Sequence, residues 1–70
     1  MDKVDIAKQL ERLQLAHQVI LEIVERMQYS KDMGFFEPER EASFDAHRLV
    51  LEELARGIEE GKELLASKHD

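Results

Sequence analysis

Hydrophobic residues recur every three or four positions along two long stretches of the chain. In the first stretch they fall at Ile6, Leu10, Leu13, Ile20, Val24 and Met27, with His17 in the remaining position. The second stretch has the same spacing at Phe44, His47, Leu51, Leu54, Ile58, Gly61 and Leu65. Alternating steps of four and three are typical of a helix that packs lengthwise against another helix. The pattern therefore predicts two long helices and an all-α fold.

Local signals predict where these helices begin and end. Asp2 is a good N-cap, and Gly34 favours the left-handed conformation that commonly follows a helix. Pro38 fits the first turn of the next helix, where its missing N–H needs no partner. We expect a helix over about residues 3–33, a turn over 34–37 and a helix over about 38–67. So short a connection requires an antiparallel helix–turn–helix hairpin, which forms one domain over residues 1–70.

Each helix has a wider apolar surface than one helix–helix contact can cover. Small and apolar residues widen one side of each stripe: Ala16, Val19 and Ile23 in the first helix, and Ala46, Val50, Gly57, Gly61 and Leu64 in the second. Leaving them in water forgoes several kcal/mol of hydrophobic stabilisation, at about 25 cal/mol per Å² of apolar surface. A second copy would cover them, so we predict a homodimer that forms a four-helix bundle through these residues.

The two glycines of the second helix need an explanation. A glycine inside a helix costs up to about 1 kcal/mol relative to alanine. Gly57 and Gly61 either weaken and bend the helix or permit a close approach of another backbone or side chain. Two glycines one turn apart favour close packing.

Composition and charge limit the possible environments and partners. The chain has 16 acidic and 10 basic residues and a net charge of -6, which opposes binding to nucleic acids and anionic membranes. It has no cysteine, which excludes disulfides and thiolate metal sites. No apolar run approaches the roughly 18 residues of a membrane span, and residues 1–5 do not begin a signal peptide. We expect a cytoplasmic protein.

The histidines and paired carboxylates of this chain are better explained by structural roles than by catalysis or metal binding. His17 and His47 lie in the apolar stripes without the Glu-x-x-His or His-x-x-x-His spacing of metal sites in bundles, which favours a packing role. The carboxylate pairs at residues 52–53 and 59–60 face outward on a helical wheel. No nucleophile–histidine–acid set or glycine-rich phosphate loop is present. We predict that the protein is not an enzyme and uses no cofactor or metal.

Two features are typical of a surface that binds another protein. The predicted turn carries most of the aromatic residues of the chain within the set Tyr29, Met33, Phe35 and Phe36. Capping of the hairpin and partner binding are equally favoured for the two phenylalanines, and one can cap while the other protrudes. Leu15 and Leu49 lie on otherwise polar faces at a similar predicted height, where they form either ordinary exposed positions or a second anchor.

The favoured function is a small regulator that docks on a larger protein, such as an anti-activator, an inhibitor or a chaperone-like adaptor. Small acidic helical hairpins occur among bacterial and phage regulators and among secretion chaperones. In length and architecture alone, the chain is similar to the Rop-type plasmid copy-number repressors, hairpins that dimerise and bind RNA. No motif is shared, and no role is transferred to a residue. An RNA-binding dimer using Lys8, Arg12 and Arg26, and a structural subunit completed by another chain, are the alternatives.

Overall fold

A computed structural model describes residues 2–67 as a hairpin of two long helices. Helix α1 comprises Lys3–Asp32 and helix α2 comprises Pro38–Ala66. They pack against each other over a molecule that measures 52 × 15 × 14 Å. The all-α prediction is confirmed, and each helix ends one residue earlier than predicted. Within residues 2–67, neither helix is long and apolar enough to cross a membrane.

Asp2 caps the first helix. Its side chain accepts a hydrogen bond from the Val4 N–H at 3.3 Å, and its carbonyl accepts one from the Ile6 N–H at 3.0 Å. The cap satisfies a backbone N–H of the first turn, which has no partner within the helix. At the same end of the hairpin, Lys3 Nζ donates a hydrogen bond to the Ser67 carbonyl at 3.3 Å and joins α1 to the end of α2.

The connection begins with a helix C-cap whose backbone conformation favours glycine. Gly34 has a φ of +79°, in the left-handed region that glycine enters without steric cost. The Phe35 N–H donates to the Ser30 carbonyl at 2.9 Å, and the Gly34 N–H donates to the Lys31 carbonyl at 3.1 Å. These two hydrogen bonds form a Schellman motif, which satisfies carbonyls at the end of α1 and turns the chain away from the helix axis.

The helices meet along the two stripes of regularly spaced residues. A Cβ at Gly57 would lie 3.4 Å from Leu13 Cδ1, and one at Gly61 would lie 3.2 Å from Leu10 Cδ1. The residue numbers in these contacts add up to 70 and 71, which sets the antiparallel register. Most other stripe residues are half-buried. Within residues 2–67, four hydrophobic side chains are buried: Ile6, Leu10, Phe44 and Ile58.

Phe44 is the best-buried large side chain and organises the turn end of the hairpin. It is 2% exposed, and the ring of Phe36 packs against it edge to face at a centroid distance of 5.7 Å. The Lys31 ammonium and the Arg48 guanidinium lie 5.3 Å and 5.7 Å from the centroid of the Phe44 ring. Lys31 Nζ also lies 3.7 Å from Glu41 Oε1. Contacts of both kinds stabilise an aromatic ring, so Lys31 links α1 to α2 through two different partners.

Replacing Gly34 by alanine tests the C-cap. A Cβ at this position meets nothing within 4 Å, so the cost comes from the positive φ and not from a clash. We expect Gly34→Ala to lower the free energy of unfolding by about 1–2 kcal/mol, measured by urea denaturation followed by far-UV circular dichroism. Gly34→Asn is the control, because asparagine tolerates the left-handed region and should lose clearly less. Equal losses for the two variants would contradict this explanation.

Candidate interaction surfaces

The two sides of the hairpin differ in polarity. On one side, a groove of about 250 Å³ between the helices is lined mostly by aliphatic and glycine residues, among them Leu13, Gly57 and Leu64, and also by Gln9 and Glu60. On the opposite side, the groove includes charged and polar residues, among them Glu59 and Lys62. The groove on one side of the hairpin is therefore more apolar than the groove on the other side.

The apolar side extends from the groove along both helices. We call it the apolar face and define it by the residues predicted to form a dimer interface: Ala16, Val19, Ile23, Ala46, Val50, Gly57, Gly61 and Leu64. Their spacing of three, four and seven continues the groove residues Gly57 and Leu64 along α2 and the groove residue Leu13 along α1. The exposed fractions are 48% for Val19, 47% for Val50 and 56% for Leu64. The hairpin by itself leaves these aliphatic side chains in contact with water.

Gly57 and Gly61 differ in what they allow. A Cβ at Gly61 would lie 3.2 Å from Leu10 Cδ1, which is closer than most real Cβ contacts, so Leu10 would have to move. The close packing expected of the glycines thus occurs at Gly61 within the hairpin itself. A Cβ at Gly57 would lie 3.4 Å from Leu13 Cδ1, an ordinary contact distance. The packing of the hairpin therefore explains Gly61 but does not require a glycine at position 57.

The turn carries a second apolar surface, which we call the aromatic end and define by Tyr29, Met33 and Phe35. These side chains are 67%, 54% and 72% exposed, respectively. Phe36 is only half-buried, but its ring packs on Phe44 and closes the core. The two adjacent phenylalanines thus have different environments, and Phe35 is the one whose ring is available to a partner.

Leu15 and Leu49 do not form a joint site on one hairpin. Each lies two positions from stripe residues on both sides, so each is on the edge of its helix farthest from the other helix. They are 68% and 62% exposed. The register places Leu15 opposite residues 55–56, so the two leucines are also about 10 Å apart along the hairpin and not at a similar height.

The two histidines of the stripes are half-buried and have local roles. His47 Nδ1 lies 2.7 Å from the Ser43 carbonyl oxygen, so a proton on Nδ1 is donated to the preceding turn of α2. His17 lines the polar groove. Among the described residues, no group of three or more potential ligands is arranged to hold a metal ion.

The charged residues form short-range pairs on the surface. Arg56 Nη1 lies 3.2 Å from Glu53 Oε1, and Lys62 Nζ lies 3.9 Å from Glu59 Oε1. Exposed pairs of this kind contribute a few tenths of a kcal/mol, about 0.2–1 each. Lys8 and Arg12 line a shallow groove that also contains Asp5, so an acidic residue interrupts the basic surface of α1.

No protein-family model, curated protein or solved structure matches this chain.

In the described part of the chain, five residues that line the apolar groove were not assigned to it by sequence reasoning: Ile6, Gln9, Leu10, Leu13 and Glu60. Gln9 and Leu13 line it together with Gly57 and Leu64. A signal for Gln9 was present, because it lies one heptad before Ala16 and therefore on the same side of α1. Leu13 was assigned to the contact between the helices, and the structure shows that it serves both the contact and the groove.

The different environments of Phe35 and Phe36 lead to a stability prediction. Phe36→Ala removes the edge-to-face contact with Phe44, and we expect it to lower the free energy of unfolding by about 1–2 kcal/mol. Phe35→Ala removes a ring that is 72% exposed, and we expect a change within about 0.5 kcal/mol. Urea denaturation measures both values. A larger loss for Phe35→Ala than for Phe36→Ala would show that the roles are reversed.

Proposed function

We propose that this chain is a non-enzymatic protein-binding regulator that acts as a homodimeric four-helix bundle. The observation that carries the proposal is a row of exposed aliphatic residues along one face of the hairpin. Val19, Val50 and Leu64 lie on the apolar face, whereas the opposite groove contains Glu59 and Lys62. A single apolar side on a thin hairpin is the arrangement that a second hairpin can cover completely.

The surface area of the hairpin supports association. The chain has an accessible surface of 5704 Å² and a mass of 8.2 kDa. A compact monomer of this mass exposes about 4,500 Å². The excess of about 1,200 Å² is larger than the roughly 800 Å² that each partner buries in a standard protein interface. Burial of the apolar face would therefore give the chain the core that a two-helix hairpin lacks.

The aromatic end provides a separate site for a larger protein. Tyr29, Met33 and Phe35 lie at the turn end of the hairpin, and each is more than half exposed. Aromatic side chains are common anchors at protein interfaces, where they fill pockets on the partner. Phe35 is 72% exposed and follows the C-cap, so its ring can enter such a pocket while both helices stay intact. The chain would thereby occupy a surface of its partner as an anti-activator, an inhibitor or an adaptor.

Nucleic-acid binding has less support. Lys8 and Arg12 share their groove with Asp5, and the chain carries a net charge of -6. A phosphate backbone is bound through a continuous set of cations, which these residues do not provide. The alternative of a subunit completed by a different chain predicts a poorly folded monomer, so a measurement of mass distinguishes it from the homodimer.

A charge placed on the apolar face tests the dimer. Sedimentation of the wild-type protein should give about 16 kDa, twice the chain mass of 8.2 kDa. Val50→Glu would bury an unpaired carboxylate in the interface, and we expect it to shift the protein toward monomer at the same concentration. Leu21→Glu is the matched control, because Leu21 is similarly exposed, at 38% against 47% for Val50, and lies on the other side of the hairpin. A folded wild-type monomer would refute the homodimer.

A substitution in the aromatic end tests partner binding. The tagged protein is incubated with a nuclease-treated lysate of cells that contain it, and bound proteins are identified by mass spectrometry. We expect one partner at near-equal stoichiometry, and we expect Phe35→Ala to reduce its recovery at least tenfold, because an interface anchor contributes about 2 kcal/mol or more. Val4→Ala is the control, since Val4 is 57% exposed at the opposite end of the hairpin.

Undiminished recovery with Phe35→Ala would remove the aromatic end as the docking site. Recovery of nucleic acid in place of protein, from a parallel lysate that has not been treated with nuclease, would favour the RNA-binding alternative.

A further inference from the structure

The apolar groove is lined by two sets of four residues that have the same spacing. On α2 the set is Gly57, Glu60, Gly61 and Leu64, and on α1 it is Ile6, Gln9, Leu10 and Leu13. In each set the later members follow the first by three, four and seven positions. Four residues with this spacing surround a depression on the surface of a helix. Such a depression is the hole that receives a side chain of a facing helix in knobs-into-holes packing.

The hairpin itself uses only part of these two sets. Ile6 and Leu10 of α1 are buried, and Leu10 lies against Gly61, where an added Cβ would come within 3.2 Å of its Cδ1. Gly57 is half-buried, and an added Cβ there would have one atom of α1 within 4 Å, Leu13 Cδ1 at 3.4 Å. The hole on α2 is therefore filled beside Gly61 and open above Gly57.

Gly57 also lies between two exposed aliphatic residues of α2. Val50 precedes it by seven positions and Leu64 follows it by seven, so the three residues lie in one row along the helix. Each aliphatic residue is about 10 Å from Gly57 along the helix axis. The row therefore has a low point at Gly57, with space for a side chain that enters from outside the hairpin.

We infer that an aliphatic side chain of a second copy of the chain is seated over Gly57 in the homodimer. This inference rests on the proposed homodimer and identifies a residue that determines how closely the two hairpins approach. It holds for either relative direction of the two hairpins, because it depends on one hole of one helix.

Two observations support a second copy as the occupant of the hole. The chain, with 5704 Å² of accessible surface at 8.2 kDa, exposes about 1,200 Å² more than a compact monomer, whereas each partner of a standard interface buries roughly 800 Å². The apolar face of that copy also presents exposed side chains of the required kind, Val19, Val50 and Leu64. The hole and the side chains that fit it thus belong to the same face.

The helix propensity of glycine supports the same role. Alanine is more favourable than glycine inside a helix, and a methyl group at position 57 would meet Leu13 at an ordinary contact distance. For the hairpin alone, alanine would therefore be the better residue. In the dimer, the methyl group would fill the bottom of the hole and push the incoming side chain outward, which densely packed interfaces tolerate poorly.

The polar members of the groove lining, Gln9 and Glu60, are the main opposing contribution. A carboxylate buried without a partner would weaken the dimer. Both side chains are exposed, so they border the hole at its rim, where their polar groups can stay in water.

Substitutions at position 57 test this contact through the dissociation constant of the dimer, measured by sedimentation equilibrium. We expect Gly57→Ala to raise the constant about tenfold, because both copies then carry a methyl group where the side chain is seated. Gly57→Leu should fill the hole and raise it at least about a hundredfold. Ala55→Leu is the matched control, because Ala55 lines the polar groove at nearly the same height on α2. Its constant should stay within about twofold of the wild-type value.

Circular dichroism separates an effect on the dimer from an effect on the hairpin. In the Val50→Glu background, which we expect to be monomeric, Gly57→Ala should maintain or increase the helical signal, since alanine is the better helix former. A weaker signal would show that the hairpin itself needs the glycine and would overturn the inference. Equal dissociation constants for the wild type and both position-57 variants would overturn it too, while leaving the homodimer intact. A wild-type monomer would overturn the homodimer and this contact together.

Discussion

A pair of helices can bury only the line along which they touch, and this geometric limit governs the whole molecule. In the described residues, four hydrophobic side chains are buried, and most of the rest of the contact stripe is half-buried. The hairpin keeps much of its apolar surface in water, and part of that surface forms the apolar face. Its stability as a free chain is consequently small, and association is the most direct way to increase it.

The turn end of the hairpin compensates for this limited burial with a cluster around one aromatic ring. Phe44 is enclosed by Phe36, Lys31 and Arg48, so the cations cover ring faces that a larger protein would cover with hydrophobic residues. The alkyl stems of lysine and arginine contribute apolar contact while their charged groups stay in water. Phe36 completes this cluster, whereas the ring of the neighbouring Phe35 takes no part in it and is 72% exposed.

Much of the fold was predictable because its determinants are local. The spacing of apolar residues identified the contact stripes, while Asp2, Gly34 and Pro38 located the helix ends to within one residue. The environments of Phe35 and Phe36 were not predictable, since both lie in a turn without periodicity. The packing of the hairpin explains the glycine at position 61 but not the one at position 57. This difference was not predictable either, because it depends on which leucine faces each glycine. The relative height of Leu15 and Leu49 depends on the register, which the helical wheel does not contain.

The constant register also implies an order of folding. Contacts near the turn close short loops: Phe36 and Phe44 are eight residues apart in sequence, whereas Leu10 and Gly61 are 51 apart. By the logarithmic dependence of loop entropy on length, closing the longer loop first would cost about 1.6 kcal/mol more. We therefore expect the Phe44 cluster to be the folding nucleus, and the contacts between the helices to form in order from the turn toward the chain ends. The contact between Lys3 and Ser67 forms last and is the first to fray on heating.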